Sequence, residues 1–118
     1  MPASAPEATV LLDAAIEYLE RELLPTLSGY HRFQTRVTVN VLAQVQRELA
    51  LAPEQESRER ERLVALLGHP GDRDALSREL AARIRAGTIA LDDPALLGHL
   101  RLSLVEALRI NNPKWLSE

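Results

Sequence analysis

The chain has 118 residues, of which 46% are hydrophobic and 26% charged, and its net charge is −3. This length fits one domain that buries a core without covalent staples, and the acidic balance argues against a nucleic-acid-binding protein. The chain has no cysteine, which excludes disulfides, thiolate metal sites and cysteine nucleophiles. No apolar run approaches the ~18 residues of a membrane span, and the start MPASAPEA lacks the pattern of a secretory signal. We therefore expect a cytoplasmic protein that contacts neither membrane nor nucleic acid.

The first helix is predicted from Glu7 to Leu24. Its inward face is expected to hold four apolar residues at helical spacing: Leu12, Ile16, Leu19 and Leu23. Pro25 disfavours helical geometry at the preceding residue and removes one donor, so the helix should end there. Residues 1–6 are small and proline-rich, and we expect them to be flexible.

The second helix, from Tyr30 to Leu49, is predicted to be the long central one. Five apolar residues spaced four apart form a ridge along it: Phe33, Val37, Val41, Val45 and Leu49. Such a ridge favours burial, so the other helices are expected to pack around it.

A third helix is predicted to begin at Pro53, because proline suits the first helical position, and to end at Gly68. Its early part, EQESRERER, alternates Glu and Arg closely enough to form a solvated face with weak ion pairs. Its later part is expected to dock through leucines at positions 63, 66 and 67.

Two more helices follow the loop GHPGD. Asp72 is predicted to cap the fourth helix, which Gly87 ends, and Pro94 to open a fifth that runs to about Ile110. Their inward faces are predicted to contain Leu76, Leu80 and Ile84, and Leu97, Leu100, Leu104 and Leu108 respectively. Residues 112–118 form a C-terminal tail. The fold class is therefore an all-α single-domain bundle, residues 1–118, with about five helices.

No catalytic, metal or cofactor site is indicated. The three histidines, His31, His69 and His99, fall on separate elements without the paired spacing that a metal needs. The loop GHPGDRD lacks the Lys-Ser/Thr of a phosphate loop, and no serine stands in a G-x-S-x-G elbow. An enzyme whose residues converge only in three dimensions stays open. A DNA-binding helix-turn-helix is disfavoured by the acidic balance.

A cluster of polar residues on the central helix is the candidate binding site: Tyr30, His31, Arg32, Arg36 and Asn40. Arginines one turn apart are suited to hold an acidic partner segment, a phosphate or another small anion through forked hydrogen bonds. The alternative is internal, with the arginines paired to carboxylates of the first helix or to carbonyls at a helix end.

Two segments resemble a known family. The first has the pattern Y-H-R-F-x-x-R-V-x-x-N: Tyr30, His31, Arg32, Phe33, Arg36, Val37 and Asn40. The second is L-L-G-x-x-G-D-x-x-x-L, followed by I-R-x-G. They resemble a small bacterial domain family of unknown function that occurs beside, or fused to, aminoglycoside-phosphotransferase-like kinases and acyl-CoA dehydrogenases. The resemblance implies an accessory role for such an enzyme partner and supplies no catalytic residue.

Two functional hypotheses follow. The first is a non-enzymatic interaction domain that binds a kinase-like or acyl-CoA dehydrogenase partner. A homodimer is expected as well, because the helices hold more apolar residues than one bundle stripe needs. The second is a helical domain that binds a small ligand or anion through the Arg, His and Asn face of the central helix.

Overall fold

The structure, a computed structural model, describes residues 7–116. This part of the chain forms four α-helices and no strand: α1 (Ala8–Glu17), α2 (Gly29–Leu67), α3 (Arg73–Ala86) and α4 (Pro94–Asn111). A π-helical segment (Tyr18–Leu23) and a 3-10 turn (Leu24–Thr26) follow α1, and a second 3-10 turn (Pro113–Leu116) follows α4. The all-α class and the long central helix are confirmed. The predicted flexible segment 1–6 and the last two residues of the tail lie outside the described residues.

Pro53 does not begin a new helix. It lies inside α2, which runs for 39 residues and contains both the second and the third predicted helices. A proline ring removes one amide donor, here the one that would reach the carbonyl of Leu49. Both residues are exposed, so water can approach the position that loses its hydrogen bond. The proline signal therefore gave a wrong boundary, and four α-helices replace the expected five.

The chain divides into two compact units, Met1–Ala52 and Pro53–Glu118. The expectation of one domain over residues 1–118 stays a prediction.

In the first unit, α1 and the turns after it run antiparallel to the early part of α2. The amide of Gln46 donates to the carbonyl of Thr9 at 2.9 Å, and Arg32 Nη1 donates to the carbonyl of Leu24 at 2.9 Å. These two bonds join opposite ends of the hairpin. The predicted inward residues of the first helix, at positions 12, 16, 19 and 23, are all half-buried.

The apolar ridge of α2 was predicted to be core, and that prediction is wrong. Phe33, Val41 and Leu49 are 64%, 54% and 48% exposed, and the ridge valines between them are exposed as well. Val39 is buried instead, at 6% exposure. Val39 and Val41 are two residues apart, which places them about 200° from each other around the helix. The helix therefore packs on α1 with one side and leaves its apolar ridge uncovered on another.

The second unit has a leucine core from three helices. Five buried leucines meet there, and Ile84 and Ile89 pack against them: Leu63, Leu67, Leu76, Leu80 and Leu96. The predicted inward residues of α3 and of the end of α2 are confirmed by this core. For α4 the prediction was wrong by one position, since Leu97, Leu100 and Leu104 are exposed while Leu96 and His99 are buried.

The ends of α3 and α4 follow the sequence signals. Asp72 accepts from the amide of Ala75 at 3.4 Å, and Asp93 accepts from the amide of Ala95 at 2.8 Å. Gly87 ends α3 in the left-handed region, with φ of 77°. These caps fix where α4 begins, and hence which of its residues face α2.

Candidate functional site

The five residues predicted as a binding site lie in the first unit and do not form one cluster. The rings of Tyr30 and His31 contact each other edge to face at 5.4 Å. Both are exposed, as are Arg36 and Asn40. Arg32 is half-buried and turned toward the carbonyl of Leu24.

Arg32 therefore has an internal partner. Its guanidinium hydrogen-bonds the 3-10 turn that closes the first helical segment, where carbonyls lack helical donors. This is the internal alternative considered for the arginines, with a backbone carbonyl as acceptor. A ligand role for the rest of the set stays a prediction.

A buried polar network lies in the second unit, between α2 and α4. Glu106 of α4 is 7% exposed and accepts from Arg58 Nε at 2.8 Å and from Arg62 Nη2 at 3.3 Å. Arg62 also donates to the hydroxyl of Ser103 at 3.2 Å. The amide of Gln55, itself buried, donates to the backbone carbonyl of Glu106 at 3.0 Å. Two arginines and a glutamine of α2 thus share one buried carboxylate region of α4.

His99 completes this network, and its protonation state follows from its partner. Arg62 Nε donates to His99 Nδ1 at 3.1 Å. Because a guanidinium only donates, Nδ1 must be the unprotonated nitrogen, and the neutral ring carries its proton on Nε2. Burial and the nearby charge of Arg62 lower the pKa of His99, whereas Glu59 and Glu106 act in the opposite direction. His99 is therefore a neutral donor near pH 7.

A cleft of about 300 Å³ opens beside this network. Its walls are mainly apolar side chains of α2 and α4: Ala65, Leu66, Ala95 and Leu102. Arg62 and His99 contribute the polar groups, and Gly98 forms part of the α4 wall. Apolar walls with a few convergent polar groups are typical of small-molecule sites, and this volume is near their lower limit.

A second histidine pair lies on the surface of the same unit. His69 Nε2 contacts Glu79 Oε1 at 2.8 Å, and Arg83 contacts the other oxygen of Glu79 at 2.6 Å. The hydrogen bond to Glu79 raises the pKa of His69, and the same bond lowers the pKa of Glu79. This exposed pair joins the loop before α3 to α3 itself.

Among the described residues, His, Asp and Glu side chains do not gather in groups of three or more suited to a metal ion. Within residues 7–116, no helix has both the length and the apolar character that a membrane crossing requires.

Sequence reasoning missed this network because it interpreted the segment from Glu54 to Arg62 as a solvated face. Gln55 is buried and Arg62 is half-buried, so that interpretation was wrong for the side that meets α4. One signal was present in α4. His99, Ser103 and Glu106 follow Leu96 at helical spacing, which places three polar residues on the face of a core leucine.

A family model matches residues 25–115, and its description is Domain of unknown function (DUF6285). The chain belongs to this family. The DUF6285 match includes all of α2, α3 and α4, and it leaves out α1. It confirms the resemblance to a family of unknown function. No curated protein and no solved structure matches the chain.

Proposed function

We propose that this DUF6285 chain is a non-enzymatic interaction domain that works as a homodimer, with the apolar ridge of α2 as its contact surface. The observation that carries the proposal is the exposure of that ridge. Together with Tyr30, its side chains expose on the order of 500 Å², as large as the largest apolar patch of a typical monomer. Patches of this size mark interaction surfaces more often than free surface.

The charge pattern favours a second copy of this chain as the occupant. Residues 37–46 contain no charged residue, although 26% of the chain is charged. Arg36 and Arg47 stand at the two ends of this stretch, and Val41 lies near its centre. At a twofold axis each residue meets its own copy, so a charged residue near the axis would face a like charge. A charge-free centre is therefore suited to self-association.

Ridge geometry and area agree with this occupant. Residues four apart form rows inclined by about 26° to the helix axis, and two such rows interdigitate when the helices cross at about 50°. Val37, Val41 and Val45 would then form the centre of the contact. A standard interface buries about 800 Å² on each partner, and the ridge with its polar margin provides an area of that order.

The test is the mass of the protein in solution by light scattering at about 100 μM. The wild type is expected to be a dimer, and Val41→Lys a folded monomer, because two lysines would meet at the axis. Val10→Lys is the matched control, since Val10 of α1 is 57% exposed against 54% for Val41. It should stay a dimer. A monomeric wild type, or a Val41→Lys variant that still dimerises, would overturn the proposal.

We further propose that the dimer is an accessory component of a phosphotransferase-like kinase or an acyl-CoA dehydrogenase. The support is the resemblance described from the two sequence segments. Co-expression with each enzyme and affinity purification through this chain provide the test. Retention of one enzyme through a high-salt wash is the expected result, and repeated loss of both would reject the partner claim while leaving the dimer claim intact.

A further inference from the structure

The cleft beside His99 has a chemistry that the dimer proposal does not use. Its two polar contributors are both donors. His99 Nε2 carries a proton, and within residues 7–116 it has no protein hydrogen-bond partner, although the residue is only 6% exposed. Because no buried side-chain nitrogen is left unsatisfied in this part of the chain, Nε2 must reach open space, and His99 lines the cleft.

Arg62 adds positive charge to the same wall. Its Nε and Nη2 are used by His99, Ser103 and Glu106, whereas Nη1 has no protein acceptor among the described residues. Glu106 is not among the residues that line the cleft. A molecule in the cleft therefore meets a cation and a neutral N–H donor, while the carboxylate stays behind them.

Gly98 gives an independent reason to regard the cleft as a site. It lies inside α4, where glycine costs about 1 kcal/mol relative to alanine. A Cβ built on Gly98 would meet no atom within 4 Å, and its φ is not in the left-handed region. Neither packing nor backbone geometry within the described residues therefore requires a glycine here. Its effect on the surface is to keep the α4 wall of the cleft open.

We infer that the cleft binds a small monocarboxylate with a compact apolar body. The apolar part would lie against Ala65, Leu66 and Leu102. The carboxylate would accept hydrogen bonds from His99 Nε2 and from Arg62. Charge-assisted bonds of this kind are about twice as strong as neutral ones, which sets a preference for the anion over an uncharged analogue.

The experiment is an NMR titration of the full chain labelled with ¹⁵N, with hexanoate as the probe. Saturable shifts are expected in the imidazole nitrogens of His99 and in the amides of Gly98 and Leu102. Hexanamide keeps the apolar body and one acceptor but has no charge, and it should bind at least tenfold more weakly. Equal binding of the two would overturn the assignment of a carboxylate.

Two variants connect the shifts to the cleft. Gly98→Phe fills it from α4 and should weaken hexanoate binding at least tenfold, whereas the matched control Gly98→Ala adds one methyl group and should change it less than threefold. Ala65→Phe fills the cleft from the α2 side and provides the same test if Gly98→Phe does not fold. No saturable shift up to about 10 mM hexanoate, or binding unchanged in a folded blocking variant, would overturn the inference. Neither outcome depends on whether the chain dimerises.

Discussion

Replacing Glu106 by glutamine tests the buried network most directly. The side chain of Glu106 is 9% exposed and accepts from both Arg58 and Arg62. Glutamine keeps the size and one acceptor oxygen, but it removes the charge and turns an amide donor toward a guanidinium. Breaking a buried ion pair by removing one partner costs about 3–5 kcal/mol. Because the Arg58 side chain is 47% exposed, we expect a loss of about 2–3 kcal/mol in the free energy of unfolding.

The assay is urea denaturation followed by circular dichroism at one fixed protein concentration, since association would add to the apparent stability. The matched control is Glu54→Gln. Glu54 pairs with the same Arg58 at 3.6 Å, but its side chain is 84% exposed. An exposed pair contributes little, so the control should change stability by less than about 0.5 kcal/mol. A loss below about 1 kcal/mol for Glu106→Gln, or equal losses in both variants, would refute the reasoning.

Three further predictions concern helix ends, glycines and histidines. Asp93→Ala should lower the free energy of unfolding by about 1 kcal/mol, because its carboxylate caps α4 at 2.8 Å; an unchanged urea midpoint would contradict this. Gly98→Ala should raise stability by up to about 1 kcal/mol, whereas Gly87→Ala, at φ of 77°, should lower it by about 1–2 kcal/mol. In an NMR pH titration, His69 should titrate above its ordinary value and His99 below it. The raised pKa of His69 adds stability that is lost as pH rises through that pKa. The lowered pKa of His99 gives the opposite sign, with stability lost as pH falls below the ordinary histidine value.

The helical class and most helix ends could be predicted because they depend on local chemistry. Asp72, Gly87 and Asp93 act through neighbours a few residues away, and each ends or begins a helix where the sequence indicated. Pro53 misled because a proline weakens a helix by a finite free energy, and a helix stabilised elsewhere can retain it.

The ridge of α2 and the network at Glu106 could not be predicted, for two different reasons. Periodicity shows that Phe33 and Val41 share a side of the helix, but not whether another helix covers that side. The network joins residues 37–51 positions apart, and such pairings depend on how α2 and α4 meet. Arg62 looked like one of several solvated arginines because its partners are distant in sequence.

The π-helical segment Tyr18–Leu23 has a consequence for the length of the chain. Within it the amide of Leu24 bonds the carbonyl of Leu19, five residues back, so the segment holds one more residue than an α-helix would over the same hydrogen-bonding step. Removing one residue there would restore α-helical bonding while Pro25 and the turn after it keep their place beside Arg32. The first hairpin can therefore absorb a single-residue deletion at a position where a regular α-helix would rotate everything that follows by about 100°.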